Sequence, residues 1–139
     1  MSSFILEYLH EIFGENILCP QIKIAFSQGK NKRLALIGDS ILNLVVKLRE
    51  YEGNNSTAES IDDSRQLHAN KKTLQGILNK DINFTQYLRQ NHGCTSPAGK
   101  IGLERADDFM EAIIGAIFLT KGYKASKTYV LKILQHKPR

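Results

Sequence analysis

Asn31 to Leu48, NKRLALIGDSILNLVVKL, decides how the rest of the chain is read. Nearly every position from Leu34 to Leu48 is apolar, the pattern of a helix buried on most of its circumference. One carboxylate, Asp39, stands in the middle of it, directly after Gly38. A carboxylate buried without a partner is unfavourable by several kcal/mol, so a partner must come from elsewhere. Arg33 is six residues away and faces another direction. A metal ion shared with other carboxylates resolves the conflict.

Those carboxylates stand in Glu104 to Leu119, ERADDFMEAIIGAIFL, which is again a helix pattern and apolar nearly all round after Phe109. Asp108 and Glu111 are spaced i, i+3 and project from one face, with Glu104 and Asp107 extending the acid surface one turn earlier. Like charges at this spacing repel by a few tenths of a kcal/mol per pair, a penalty that a bound cation removes. A solvated acidic helix start explains Glu104 and Asp107, because acids favour the first turn. It does not explain Glu111 inside an apolar run. Asp39, Asp108 and Glu111 are therefore the candidate metal ligands, with Glu104 or Asp107 in support. Gly115, one turn beyond Glu111, permits close approach of another helix.

The segment NKRLALIGDSIL resembles the ribonuclease III signature, usually written NERLEFLGDAVL, and ADDFMEAIIGAIFL resembles the second motif of that family, ADAFEALIGAIYL. The resemblance covers about Ile24 to Leu134 and extends to the order and separation of the two blocks. It implies an all-α fold, a homodimer, and an Mg2+-dependent endonuclease acting on double-stranded or structured RNA, with Mn2+ as a substitute ion. It further implies that Asp39, Asp108 and Glu111 are catalytic and metal-binding. Lys32 and Ala35 stand where the family usually has Glu, and the position of Ala35 carries a metal ligand in most members. The single-domain "mini" branch also tends to have Ala there. By the same resemblance Glu59 is a candidate for helping with a second metal, a helix-start acid being the equal alternative. Arg65 and Leu74 reproduce another family spacing.

At 139 residues the chain is expected to form one domain, 1–139, large enough for a core without staples. Its 42% hydrophobic and 24% charged residues are ordinary for a soluble globular chain. Cys19 and Cys94 show no ligand spacing and read as reduced packing residues. Without a charged-then-apolar leader or an apolar run of spanning length, a soluble cytoplasmic protein with no membrane association is expected. The net charge is +5 although the candidate site is acidic, so basic residues collect elsewhere, as suits a polyanionic partner.

Along the chain, Ser3 is placed to cap a first helix that Gly14 stops, and Pro20 to open a short second one. EGNNSTAES reads as a polar loop, Glu59 to Leu67 and Asn70 to Leu78 as short helices. Asp81 is placed to cap a helix with Ile82, Phe84, Tyr87 and Leu88 inward, and HGCTSPAGK is a second loop. A last helix spans Lys124 to Gln135. Lys71, Lys72 and Lys100 are candidate phosphate contacts, though solvated lysines explain them as well. His68 and His92 have no nucleophile pattern. The chain ends after HKPR, where most relatives continue into a double-stranded-RNA-binding domain. A lone nuclease domain is expected, with modest, salt-dependent affinity for duplex and room for a separate RNA-binding partner protein.

The competing reading is a catalytically degenerate ribonuclease III-like domain serving as an RNA-binding or ribosome-associated structural subunit. Lys32 and Ala35 favour it; three acids in the correct registers oppose it. Ala35 lies four residues before Asp39 and shares its helix face. Ala35→Glu should therefore lower the Mg2+ concentration giving half-maximal cleavage, since Mg2+ otherwise fills the empty position with water. Wild type and variant both inert at every metal concentration would favour the structural subunit.

Overall fold

The structure, a computed structural model, describes residues 2–53, 57, 58, 70–92 and 103–138. All elements among them are α-helices: α1 (Phe4–Phe13), α2 (Pro20–Ala25), α3 (Lys32–Glu52), α4 (Lys71–Lys80), α5 (Ile82–His92), α6 (Leu103–Lys121) and α7 (Tyr123–Leu134). The expected all-α class is thus correct. The expected helix at Glu59 to Leu67, and Arg65, His68, Cys94 and the second loop, lie outside the described residues.

The caps follow from the sequence. The Ser3 hydroxyl accepts from the Leu6 amide at 3.1 Å, and Gly14 ends α1 at φ 78°. Asn70 accepts from the Thr73 amide at 2.8 Å, opening α4. Asp81 does more than expected. One of its oxygens accepts from the Phe84 amide at 3.1 Å and caps α5. The other accepts from the Ser3 hydroxyl at 2.8 Å and the Ile5 amide at 2.9 Å, so the same buried carboxylate also holds the start of α1.

The core is built around α6. Ala106, Phe109, Met110, Ala112, Ile113, Ile114, Ala116 and Ile117 are all buried. Helices α2, α3, α4 and α7 pack around it, α3 most extensively. The reason lies in two glycines. A Cβ on Gly38 would fall onto the backbone carbonyl of Glu111, and one on Gly115 onto the carbonyl of Leu34. The two backbones therefore touch, closer than helices separated by larger side chains. At the other end of α6, Gly122 at φ 88° turns the chain sharply into α7.

Two expectations need correction. Helix α3 is not buried on most of its circumference: Leu36 is 72% exposed, and Ser40 and Leu44 continue a solvent-facing stripe at i, i+4 spacing. Ile82, expected inward, is 62% exposed because it occupies the first position of α5, where the chain has not yet turned onto the core. None of the described helices is long and apolar enough to cross a membrane.

Gly38→Ala should destabilise the fold by at least about 3 kcal/mol, the upper part of the range for overpacking, because a backbone carbonyl cannot rotate away as a side chain can. Chemical denaturation of the variant, with a surface control such as Ser40→Ala, measures this.

Candidate metal centre

The α3–α6 crossing determines what faces what. On α3, Lys32, Ala35, Leu36 and Asp39 recur at helical spacing and line one wall of an open cleft of about 400 Å³. Asp108 and Glu111 of α6 line the opposite wall. The cleft thus collects the three acids expected from the sequence, although they are separated by about 70 residues in the chain.

Within it the grouping differs from expectation. Asp107, Asp108 and Glu111 each present a carboxylate oxygen within 4.8 Å of the others. Asp39 lines the cleft from α3 but is outside this tight trio. Asp39 is half-buried, so its desolvation is milder than a fully buried position in α3 implied. Asp107, expected only as a supporting or helix-start acid, belongs to the trio itself. Glu111 is 9% exposed, consistent with its place in the apolar run.

Within the trio, Asp107 is costly to ionise without a cation. Burial raises the pKa of the Asp107 carboxyl above the ordinary carboxylate value; neighbouring Asp108 pushes the same way, and Lys71 and local backbone amides pull it back. One Asp107 oxygen is buried with no hydrogen-bond partner. An oxygen-only donor set with an unspent buried oxygen fits a hard divalent cation such as Mg2+. Asp107, Asp108 and Glu111 would hold it, with Asp39 across the cleft.

Of the remaining candidates, Lys71 and Lys72 are exposed at the start of α4, and Lys71 is near enough to influence Asp107. Glu59, Lys100 and the side chain of Glu104 lie outside the described residues. Lys32 and Leu36 were missed as lining residues. The signal was present in their i, i+3/i+4, i+7 relation to Asp39, but an exposed lysine and a leucine carry no metal chemistry of their own.

Fold and site together define a helical protein with an acidic cleft suited to metal-assisted hydrolysis. A sequence profile of the ribonuclease-III-like family matches residues 24–137, and the chain belongs to that family. It is similar to the ribonuclease 3 of Magnetococcus marinus, 31% identical over 107 residues, which covers 76% of this chain and 43% of the relative. It is also similar to that of Bordetella pertussis, 31% identical over 127 residues, covering 88% and 49%. The chain spans less than half the length of these relatives. In structure it resembles the nuclease domain of Campylobacter jejuni ribonuclease III, with a TM-score of 0.75, 24% identity, and coverage of 95% of this chain and 97% of that one.

The raised pKa of Asp107 gives a signed expectation. A carboxyl that is harder to ionise in the folded than in the unfolded state weakens folding as pH rises through its titration range, and this penalty vanishes at lower pH. Without metal at pH 7, Asp107→Asn should therefore melt above the wild type. The gap should close as pH falls below the ordinary carboxylate range. Excess Mg2+ should stabilise the wild type more than the variant. Paired thermal melts across pH, with and without Mg2+, test all three points.

Proposed function

We propose that this chain is a metal-dependent endoribonuclease domain of the ribonuclease III type, cleaving double-stranded or structured RNA as a homodimer. The observation that carries this reading is the acid cluster: Asp108 and Glu111 line the cleft opposite Asp39, and Asp107, one of whose oxygens is buried without a hydrogen bond, brings a carboxylate oxygen within 4.8 Å of both. Family membership supplies the reaction class. Residues 1–139 would form one such domain, acting in the cytoplasm.

Phosphodiester hydrolysis needs an activated water and stabilisation of charge on the phosphate oxygens, and bound Mg2+, or Mn2+ in its place, supplies both. Asp107, Asp108 and Glu111 fix the ion because all three project from one rigid, buried helix. Asp39, on the opposite wall, would reach the same ion from α3. Lys32 at the cleft and Lys71 and Lys72 at the start of α4 offer ammonium groups to flanking phosphates. Lys100 and Glu59 remain candidates for RNA contact and a second metal by resemblance alone.

Dimerisation is favoured by exposed apolar groups near the signature helix. Ile24, Ile37 and Leu119 line a depression of about 350 Å³ beside Lys30 and Arg33, and Leu36 protrudes next to Ile37. One of the resembling structures, a ribonuclease III nuclease domain from Campylobacter jejuni, is described as having flexibility in a region involved in dimer formation.

A second reading is favoured by one observation. Ala35 stands in the cleft wall one turn from Asp39, where a further carboxylate would reach the same ion. The domain would then be a structural RNA-binding or ribosome-associated subunit without activity, or one working with a separate RNA-binding protein. Glu111→Gln and Asp39→Asn decide between them. In the nuclease reading each leaves the helical circular dichroism intact, and the metal-free melting temperature holds or rises. Each lowers Mg2+-dependent cleavage of a structured RNA by more than about 100-fold, beyond the loss typical of groups that only support a metal ligand. Unchanged cleavage in Glu111→Gln would remove the site assignment; a wild type inert in both Mg2+ and Mn2+ would favour the subunit.

A further inference from the structure

The basic excess of this protein is not spread evenly. Residues 112–139 hold six of its nineteen Lys and Arg residues and none of its fourteen Asp and Glu residues. That segment comprises the second half of α6, all of α7 and the residues beyond. The chain is thus polarised: acids cluster near the middle of α6, cations from its end onward. Glu111 and Lys121 are ten residues apart on one helix, about 15 Å along its axis at 1.5 Å per residue.

At the basic end, α1, α7 and the last turn of α6 enclose a cavity of about 460 Å³, larger than the acidic cleft and within the range of small-ligand sites. Lys121, Lys124 and Lys132 line it, against a single carboxylate, Glu11. Glu11 pairs with Lys132, whose ammonium also lies 5.4 Å from the centre of the Tyr8 ring. Lys121 lies 5.8 Å from the centre of the Phe13 ring. Among the described residues neither Lys121 nor Lys124 has a carboxylate partner. Two positive charges therefore remain unmatched around one concavity. Its wall also includes Tyr129, which is 1% exposed and whose hydroxyl is buried without a hydrogen-bond partner.

We propose that this cavity binds a phosphate-bearing anion of about nucleotide size. Lysine ammoniums hold phosphate as point charges without demanding one orientation, and three lysines line this cavity. Tyr8, with Ile12 and Ala125, gives an apolar surface on which a ring can rest. The site is separate from the acidic cleft and does not depend on the chain being a nuclease. Its phosphate could belong to an RNA strand or to a free nucleotide.

Calorimetry on the full chain with pyrophosphate and with AMP tests this, using Lys124→Gln/Lys132→Gln and, as control, Lys127→Gln, which removes a charge from the same helix outside the cavity. Thermal melts establish that each variant is folded. Wild type and Lys127→Gln should bind pyrophosphate alike, and the double variant at least 10-fold more weakly. Binding of a short RNA duplex, measured in Ca2+ over a range of salt, then identifies the source. A weaker duplex affinity and a shallower salt dependence in the double variant assign the phosphate to RNA. Unchanged duplex affinity beside lost pyrophosphate binding assigns it to a free nucleotide. Equal binding of both probes by wild type and double variant, or binding of neither probe by wild type, overturns the proposal.

Discussion

The backbone contact between α3 and α6 is the constraint on which the rest of the molecule depends. Gly38 sits on the carbonyl of Glu111, and Gly115 sits against Leu34 and Gly38. Helices separated by side chains stand about 8–10 Å apart; here the missing Cβ atoms bring them to backbone contact. Residues near the glycines on each helix are carried with them. Asp39 comes immediately after Gly38 and Glu111 one turn before Gly115, so close packing and the joining of the two acidic walls are one event.

That arrangement places charge where the fold can least accommodate it. The run from Phe109 to Ile117 is buried throughout, yet Glu111 lies within it and Asp107 and Asp108 just precede it. The benefit is rigidity. Groups fixed on a helix packed on several sides keep their spacing better than groups on a loop. The penalty is burial of a carboxylate, sharpened by repulsion from Asp108, and it is visible in the raised pKa of Asp107. A divalent ion held there would offset that penalty, so the metal-free protein should be the electrostatically strained form.

Much of this was legible in the sequence because the apolar periods of α3 and α6 are strong and their two glycines stand beside acids. The cap at Ser3 was legible too, since capping is local, whereas Asn70 was read inside its helix and caps it instead. What was not legible depended on distance in the chain or on exposure. Asp107 looked like an ordinary first-turn acid although its i, i+4 relation to Glu111 stood in the sequence; what the packed fold adds is the burial of one of its oxygens. Leu36 and Leu44 looked like core because hydrophobicity does not say which side of an apolar helix has a neighbour. Ile82 failed for a related reason: a helix's first residue need not share the face of the turns that follow. The second role of Asp81 was invisible because its partners lie at the far N-terminal end.

Asp81 has a consequence for how the chain is made. Ser3 and Ile5 rely on a carboxylate 76 to 78 residues further along. During synthesis at about 5–20 residues per second, roughly 4 to 16 s pass between the appearance of Ser3 and that of Asp81. Through that interval α1 has only its local Ser3 cap, and a helix of 10 residues is marginal alone in water. The apolar face carrying Ile5 and Leu9 is then a nascent-chain surface without its partners, and docking of α1 comes after synthesis of the segment that holds its start.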